Sequence, residues 1–316
     1  MKTIKKIKQP ILITGAAGFL GSNFVRFFVL QNTKVHILIK KNSDTWRIKD
    51  IVHKTNCHYV DLKDKNKLEK TIKKIKPKTI FHFAANGAYS YQDNPNSIKE
   101  NILDGTINLL NECSKYKFTT FINTGSSSEY GFKNVKMKET DFLVPNSHYS
   151  MFKSAATLYC QNESLIKDLP IVTVRPFHVF GPYEEPSRLI PTILNNFIKN
   201  KKTKLVSPNI SRDLIYIDDV INFYILISQK KNLRGKIFNL GFGKKISIKL
   251  IYDYLKKITN SQLINKWNSM NNRKWDQPVW YADMSYVKTK LKWSPKINYK
   301  KGLYKTYVWH KKFYIK

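Results

Sequence analysis

Three glycines at intervals of three residues follow a short apolar run near the N-terminus, and this pattern constrains the fold more than any other feature of the chain. The run covers residues 11–13, and the glycines are Gly15, Gly18 and Gly21. Such a run is typical of a parallel strand buried on both faces. Gly15 allows a sharp turn, Gly18 lets backbone N–H groups approach a pyrophosphate, and Gly21 lets the next helix pack against the strand. The pattern therefore predicts a strand, a turn and a helix that hold a dinucleotide.

Strand-like and helix-like runs alternate along the chain, which predicts an α/β fold: a Rossmann doubly wound parallel sheet with a smaller C-terminal substrate-binding lobe. We place the dinucleotide-binding domain at residues 1–175. Residues 176–316 form mainly the substrate-binding lobe, with some segments returning to the Rossmann sheet. A length of 316 residues and a hydrophobic content of 42% suffice for this arrangement. Further strands are predicted at residues 35–39, 57–60, 79–83, 118–123 and 171–175.

The formal charge of +34 at pH 7 would also suit a nucleic-acid-binding protein. The lysines are, however, spread along the whole chain, and the sequence has no basic tail or RNA-binding signature. The excess of Lys, Asn, Ile and Tyr resembles the composition that an AT-rich genome imposes, so we expect no nucleic-acid partner. Part of the charge could still attract an anionic nucleotide substrate or an anionic lipid surface.

Hydropathy and cysteine usage indicate a cytoplasmic protein. No apolar stretch approaches the roughly 20 residues that span a bilayer, and the first ten residues lack the apolar region of a signal peptide, so no membrane insertion is expected. The three cysteines, Cys57, Cys113 and Cys160, are unclustered and odd in number. They indicate neither a disulfide framework nor a metal site.

A second motif, YSMFK at residues 149–153, places a tyrosine and a lysine four residues apart. On a helix, Tyr149 and Lys153 therefore share one face. A nearby ammonium stabilises a phenolate and lowers the tyrosine pKa from about 10 toward the working pH. Such a tyrosine can exchange a proton with a substrate oxygen while a hydride moves to or from a nicotinamide. Both residues are predicted to be catalytic.

The GxxGxxG spacing and the downstream YxxxK motif together resemble the extended short-chain dehydrogenase/reductase family, specifically its nucleotide-sugar branch of NAD-dependent epimerases and dehydratases. The segments 124–131, 175–182 and 212–220 are similar to that family's catalytic-serine strand, substrate-binding segment and later substrate-domain signature. The resemblance runs through nearly the whole chain. It implies a nucleotide-sugar oxidoreductase that contributes to surface glycan biosynthesis, such as that of lipopolysaccharide.

The resemblance also completes a catalytic triad. Counting back from Tyr130, the family's catalytic serine or threonine falls on Ser126, at the end of a strand. Ser126 would hydrogen-bond the sugar oxygen with which Tyr149 exchanges a proton. Lys153 would in addition bind the nicotinamide ribose.

The same resemblance distributes the cofactor contacts along the first domain. It assigns Asp61 and Leu62 to the adenine and residues 81–86 to the phosphate and ribose region, and it places Asn101 on the following helix. The predicted cofactor-binding residues are Gly15, Gly18, Phe19, Leu20, Gly21, Lys40, Lys41, Asp61, Leu62, Ala84, Ala85, Asn101, Tyr149 and Lys153.

The end of the second predicted strand bears on the choice of cofactor. An acidic residue there accepts hydrogen bonds from the adenosine ribose and favours NAD, whereas this chain has Lys40 and Lys41, followed by Ser43 and Arg47. These cations could pair with a 2′-phosphate. The sequence therefore favours NADP(H), with NAD as the alternative.

The residues after Ser126 argue against a 4,6-dehydratase. Dehydratases of the resembling family carry an Asp-Glu pair directly after the catalytic serine or threonine, where this chain has Ser127 and Ser128. Glu129 comes one position late, and on a strand a shift of one residue reverses the facing direction.

Two redox reactions remain open. A 4-epimerase keeps NAD bound, oxidises C4 and returns the hydride to the other face, whereas a 4-ketoreductase uses exchangeable NADPH once. The lysines after the second strand favour the reductase. His178 also favours the reductase, because the CDP-abequose and CDP-paratose synthases that this chain resembles place histidine at the same position. The alternative is that His178 is a packed core residue. The prediction is NADPH-dependent reduction of a nucleotide-linked 4-keto-(6-deoxy)hexose at C4, with NAD-dependent 4-epimerisation as the alternative.

Several residues are candidate contacts for a nucleotide-sugar substrate. Arg188 and Arg212 resemble the family's diphosphate and nucleotide contacts, since a guanidinium matches phosphate oxygens. Weaker candidates lie in the loop after the predicted strand at 79–83 and at positions 273 and 276. The predicted substrate-binding residues are Tyr89, Ser127, His178, Arg188 and Arg212, with Ser90, Gln92, Arg273 and Asp276 as further candidates.

A function outside catalysis also fits the superfamily that the chain resembles. Some of its members bind a dinucleotide and act as regulatory or RNA-associated proteins, and these commonly lose the tyrosine or the lysine. This chain retains Ser126, Tyr149 and Lys153, which favours an enzyme. The resemblance further implies a homodimer formed through two helices of each subunit, including the one that carries Tyr149.

Overall fold

The computed structural model describes residues 6–87, 91–133, 135–270 and 277–314. Its strands are β1 (Ile11–Thr14), β2 (His36–Ile39), β3 (Asn56–Tyr59), β4 (Thr79–His82), β5 (Thr120–Thr124), β6 (Ile171–Pro176), β7 (His178–Phe180), β8 (Ser211–Arg212), β9 (Leu214–Tyr216), β10 (Ile237–Leu240), β11 (Ile246–Ser247) and β12 (Val279–Trp280). Its helices are α1 (Phe19–Leu30), α2 (Lys65–Ile75), α3 (Pro95–Lys99), α4 (Gly105–Ser114), α5 (His148–Ile166), α6 (Leu189–Ile198), α7 (Ile217–Ser228), α8 (Ile248–Thr259), α9 (Ser285–Leu291) and α10 (Tyr299–Tyr314). A π-helical turn, Glu100–Asp104, joins α3 to α4, and short 3₁₀ helices cover Val52–Lys54 and Ser127–Tyr130.

Seven strands form one sheet in the order β10, β6, β5, β4, β1, β2, β3. The pairs that join β6 through to β3 are all parallel, and Leu12 of β1 lies between His36 of β2 and Ile80 of β4. Parallel strands place their carboxyl ends at the same edge. The strand order reverses between β1 and β4, which is where open sheets of this type bind ligands. The predicted Rossmann doubly wound sheet is confirmed.

Burial explains why these segments adopt their observed structure. The central strand β1 has Ile11, Leu12 and Ile13 fully buried, as expected for a strand covered on both faces. Helix α2 instead buries one side, through Leu68, Ile72 and Ile75, while its lysines face the solvent. Full burial of one such aliphatic side chain contributes about 1.5–3 kcal/mol relative to exposure. One-sided burial thus attaches the helix to the sheet.

Backbone contacts divide the chain into two compact units. The first comprises residues 1–131, 143–175 and 221–238, and the second comprises residues 132–142, 176–220 and 239–316. Residues 221–238 belong to the first unit, whereas residues 176–316 were predicted to lie mainly in the lobe. Residues 132–142 belong to the second unit, whereas residues 1–175 were predicted to form the dinucleotide-binding domain.

The second unit has two small sheets of its own. Strand β8 lies between β11 and β12, and β7 pairs with β9 in parallel. Within the described ranges, no helix combines the length and the apolar content that crossing a membrane requires.

Candidate functional site

The glycine turn has the close-packed geometry that the sequence predicted. Gly15 has a φ of +64°, and a side chain at this position would lie 2.6 Å from the backbone nitrogen of Ala84. Gly21 sits so close to the turn that an added Cβ would lie 2.2 Å from the carbonyl oxygen of Gly15. Gly18 is the N-cap of α1 and gives the first turn no side-chain hydrogen bond. The N–H groups and the positive dipole at this helix end therefore suit a phosphate.

A cavity of about 430 Å³ adjoins this turn, at the carboxyl ends of the neighbouring strands. Its volume lies within the range of ordinary small-molecule sites. The predicted cofactor residues that line it are Gly15, Gly18, Lys40, Asp61, Leu62, Ala84, Ala85 and Asn101. The lining found among the described residues does not include Phe19, Leu20, Gly21, Lys41, Tyr149 or Lys153.

Hydrogen bonds between buried side chains fix the wall of this cavity. The hydroxyl of Thr14 lies 2.7 Å from Nδ1 of His82, and Nε2 of His82 lies 2.9 Å from the hydroxyl of Thr106. The Ala84 N–H donates to the Thr14 hydroxyl at 3.3 Å. Burial, together with the charge of Lys153, lowers the pKa of His82 to about 3, so the imidazole is neutral. These bonds tie Thr14 and Ala84, which line the cavity, to buried neighbours, and the glycine turn, helix end and cavity together suit a dinucleotide.

Lys40, predicted to pair with a 2′-phosphate, is engaged by the cavity itself. Its Nζ donates to Oδ1 of Asn101 and lies 3.5 Å from a carboxylate oxygen of Asp61. Lys41 is exposed, and Arg47 is buried with its guanidinium over the Trp46 ring. Lys40 therefore has a carboxylate and an amide beside it while its side chain stays 48% exposed, and Arg47 packs on Trp46. Selection of NADP(H) by these residues stays a prediction.

Lys153 is buried on α5 and points to the end of β5. Its side chain is 5% exposed, and its Nζ donates to the carbonyl oxygen of Thr124 at 2.7 Å. Burial lowers the pKa of Lys153 to about 8, and the negative charge of Glu129 opposes that shift. Tyr149, one turn earlier, is partly buried against Ile98 and Ile102. Tyr149 and Lys153 thus lie one turn apart on a helix, as predicted, and their catalytic roles stay a prediction.

Ser126 follows β5 and caps the 3₁₀ helix Ser127–Tyr130. Its hydroxyl oxygen accepts hydrogen bonds from the N–H and the hydroxyl of Ser128, at 3.1 and 2.8 Å. The expectation that residues 127–129 continue a strand is wrong, because β5 ends at Thr124 and Ser126 caps a helical turn. Glu129 lies in this helical turn, so its side-chain direction does not follow the alternating faces of a strand.

Glu129 is a buried member of an ion pair that sequence reasoning missed. Its side chain is fully buried, and one carboxylate oxygen accepts from Nε of Arg175 at 2.7 Å. Burial raises the pKa of Glu129, while Arg175 favours the carboxylate form. The signal was present in the sequence: a serine followed three residues later by a glutamate is a capping-box pattern, and Ser126 and Glu129 form that box.

Three predicted substrate residues of the second unit, His178, Arg188 and Arg212, interact electrostatically. Nε2 of His178 is buried and has no hydrogen-bond partner among the described residues. Burial and the charges of Arg188 and Arg212 lower the pKa of His178 to about 3, so it is a neutral imidazole. Arg212 donates to the carbonyl oxygens of Ser211 and Gln277, and Arg188 is the N-cap of α6.

A buried carboxylate organises the segments around Arg212. Asp213 accepts backbone hydrogen bonds from Phe242, Gly243 and Ala282, at 2.7 to 3.1 Å. Burial nevertheless raises the pKa of Asp213 to about 6. The loop after β10 and the segment after β12 are thereby tied to β8.

The other candidate contacts are distributed as follows. Ser127 is the first residue of the 3₁₀ helix, and Gln92 accepts a hydrogen bond from the Gly87 N–H at 2.9 Å. Tyr89, Ser90, Arg273 and Asp276 lie outside the described residues.

Comparisons with known proteins agree with this geometry. The model of the NAD dependent epimerase/dehydratase family matches residues 11–241. The UDP-glucuronate 4-epimerase of Thermodesulfobacterium geofontis is 28% identical, over 95% of this chain and 95% of the relative. The dTDP-D-glucose 4,6-dehydratase of Dictyostelium discoideum is 27% identical, over 96% of this chain and 82% of the relative.

Solved structures extend the likeness to the whole fold. The crystal structure of UDP-glucuronic acid 4-epimerase from Bacillus cereus, in complex with UDP-glucuronic acid and NAD, is 26% identical and covers 96% of this chain and 99% of its own, with a TM-score of 0.86. Since the family model matches most of the chain and these relatives are enzymes, the predicted family and enzymatic nature are confirmed. This protein is an enzyme of the extended short-chain dehydrogenase/reductase type, and it belongs to the NAD-dependent epimerase/dehydratase family.

Proposed function

We propose that the protein is an NAD-dependent nucleotide-sugar 4-epimerase. The observation that favours it over a reductase is that Lys40, with a side chain 48% exposed, hydrogen-bonds Asn101 and lies 3.5 Å from the Asp61 carboxylate, which offsets its charge. NAD has no 2′-phosphate and needs no such cation. The similarity to UDP-glucuronate 4-epimerases supports the same choice.

In the proposed reaction, Tyr149 is the proton acceptor and Lys153 supports it. NAD would be held at the glycine turn and the cavity beside it, and it would supply the hydride acceptor and donor for C4 of the sugar. Tyr149 removes the proton of the C4 hydroxyl and gives it back, and the Lys153 ammonium stabilises the phenolate between these steps. Ser126 donates a hydrogen bond to the C4 oxygen. Its own oxygen already accepts two hydrogen bonds from Ser128, so its proton is directed outward.

The proposed substrate is a UDP-linked hexose or hexuronate. Arg188 and Arg212 supply positive charge for the diphosphate, and neutral His178 offers a buried nitrogen to a hydroxyl or to the base. Several relatives are dTDP-glucose 4,6-dehydratases. Ser127 and Ser128 in place of an acidic pair argue against that reaction here.

A second candidate function is the NADPH-dependent reduction of a nucleotide-linked 4-keto-6-deoxyhexose. The exposed Lys41 after β2, together with the buried, neutral His178, favours it. Under either function we propose action in the cytoplasm, consistent with three free cysteines of which Cys113 and Cys160 are buried.

The test is to incubate the purified protein with UDP-glucose, UDP-glucuronate and UDP-N-acetylglucosamine, with and without added NAD, and to follow C4 epimers by proton NMR. We expect one donor to reach an equilibrium mixture without net consumption of NAD. A parallel panel of CDP-, dTDP- and GDP-linked 4-keto-6-deoxy sugars is offered with NADPH or NADH. Consumption of NADPH in that panel, with no epimer in the first, would replace the epimerase by the reductase.

We further propose a homodimer formed through α5. Met151, Leu158 and Leu165 are spaced by seven residues, lie on one face of the helix, and are 42%, 55% and 59% exposed. An exposed apolar stripe of this kind suits the same stripe of a second copy.

The substitution Leu158→Glu is expected to convert dimers to monomers in light-scattering measurements at micromolar concentration. Leu250→Glu, at a 48% exposed leucine of α8, is the matched control and should keep the wild-type mass. A wild-type monomer would contradict the proposal.

A further inference from the structure

We propose that Glu129 is a positioning residue for the reaction, which holds the backbone of Ser126 so that the serine hydroxyl meets the C4 oxygen of the sugar. The inference rests on the proposed function of Ser126. The Ser126 N–H donates to Oε1 of Glu129 at 2.7 Å, and this bond joins the two ends of the capping box. A bond of this length to a carboxylate is charge-assisted and geometrically strict.

The carboxylate of Glu129 is itself fixed at both oxygens. Oε1 also accepts from the hydroxyl of Thr157 on α5 at 3.1 Å, and Oε2 accepts from Nε of Arg175 on β6 at 2.7 Å. The side chains of Glu129 and Arg175 are 0% and 2% exposed. With both oxygens engaged and no access for solvent, Glu129 is placed to hold its neighbours and not to exchange a proton with a sugar.

Arg175 in turn anchors the other end of the same 3₁₀ helix. It donates to the hydroxyl of Tyr130 at 3.1 Å, and its guanidinium lies 4.8 Å from the centre of the Tyr130 ring. Gly125 leaves the room for this arrangement, because a Cβ there would lie 2.3 Å from Oε1 of Glu129. The turn that presents Ser126 is therefore tied to α5 and β6 through one buried carboxylate.

Ser126 is presented as a hydrogen-bond donor by this turn. Because the oxygen of Ser126 accepts from the N–H and the hydroxyl of Ser128, its proton is available to a substrate oxygen. The backbone bond to Glu129 fixes the main chain from which that hydroxyl projects. Lys153 bonds the carbonyl oxygen of Thr124, two residues earlier, and the charge of Glu129 favours its ammonium form. One carboxylate thus supports two groups of the proposed triad.

A double-mutant cycle separates positioning from general stability. Glu129→Gln removes the charge, and since Ser126 and Arg175 donate to different carboxylate oxygens, one of these two donors then faces the amide NH₂ group, which cannot accept. On the donor that the wild type converts, we expect kcat to fall about 10²-fold with KM nearly constant. In a Ser126→Ala background the same substitution should lower kcat by clearly less than about 10²-fold, because the part of its effect that passes through Ser126 is already lost there. Equal losses in both backgrounds would overturn the proposal.

A matched control lies on α5. Glu163 is 8% exposed and paired with Lys167, and no contact links it to the capped turn among the described residues. Glu163→Gln is expected to leave kcat within about twofold of the wild type, as is usual for substitutions outside a coupled network.

A second measurement needs no substrate and therefore stands whether or not the proposed function does. Glu129→Gln leaves Arg175 buried and unpaired, which strongly destabilises a protein. The double variant Glu129→Gln, Arg175→Met removes both charges and serves where the single variant does not fold. Peptide-resolved amide hydrogen exchange is expected to show faster exchange at residues 125–128 and unchanged exchange in β5. Unchanged protection at residues 125–128 would show that Glu129 does not hold Ser126.

Discussion

Tyr149→Phe is expected to lower kcat about 10³-fold or more while the dissociation constant for NAD stays within about threefold of the wild type. The substitution removes only the phenolic oxygen, so the ring keeps its packing against Ile98 and Ile102. Without that oxygen no side chain at this position can exchange a proton with the C4 hydroxyl. Turnover of the wild-type substrate and NAD binding by calorimetry measure the two effects separately.

The control for this prediction is another tyrosine of the same helix. Tyr159 donates its hydroxyl to Asn111 at 3.2 Å, and Tyr159→Phe should leave kcat within about twofold because the residue lies outside the proposed triad. A Tyr149→Phe variant that kept most of its activity would contradict the catalytic role. It would instead favour the regulatory or RNA-associated function that the superfamily also contains.

The parts of the fold that could be predicted from sequence are those that depend on local pattern. An apolar run followed by spaced glycines defines β1, the turn and α1. Each glycine is needed because a side chain would be too large for the turn or for the close packing within a few residues of it. The predicted strand at 79–83 is observed as Thr79–His82, and the one at 171–175 as Ile171–Pro176. Such strands are buried on both faces, so their continuous hydrophobicity is visible without knowledge of their partners.

The parts that could not be predicted depend on partners distant in the chain. Arg175 lies 46 residues from Glu129, and Asn101 lies 61 residues from Lys40. From the sequence alone, Lys40 is expected to be a cation without a protein partner, available to a phosphate. In the fold it contacts Asn101 and Asp61. Glu129 was interpreted through strand alternation, whereas the capping box at Ser126 makes the segment helical and turns its side chain into the interior.

The second large effect is expected at the glycine turn, where Gly21→Ala should lower the free energy of unfolding by about 3 kcal/mol and also weaken NAD binding. The added Cβ would lie 2.2 Å from the carbonyl oxygen of Gly15 and 2.8 Å from the Cα of Ala16. Both atoms are backbone, so neither can rotate away, and α1 must move off β1. Thermal and denaturant unfolding, followed by fluorescence titration with NAD, provide the measurements.

Gly18→Ala separates binding from folding at the same turn. Gly18 has an ordinary φ of −77°, and a Cβ there would meet only the Gly15 oxygen, at 3.2 Å. We expect the free energy of unfolding to change by less than about 1 kcal/mol, while NAD binding weakens about tenfold because the methyl group stands where a pyrophosphate approaches. If Gly18→Ala bound NAD as tightly as the wild type, the helix end would not be the phosphate site. If Gly21→Ala were as stable as the wild type, the close packing of α1 on the turn would not be a constraint on this fold.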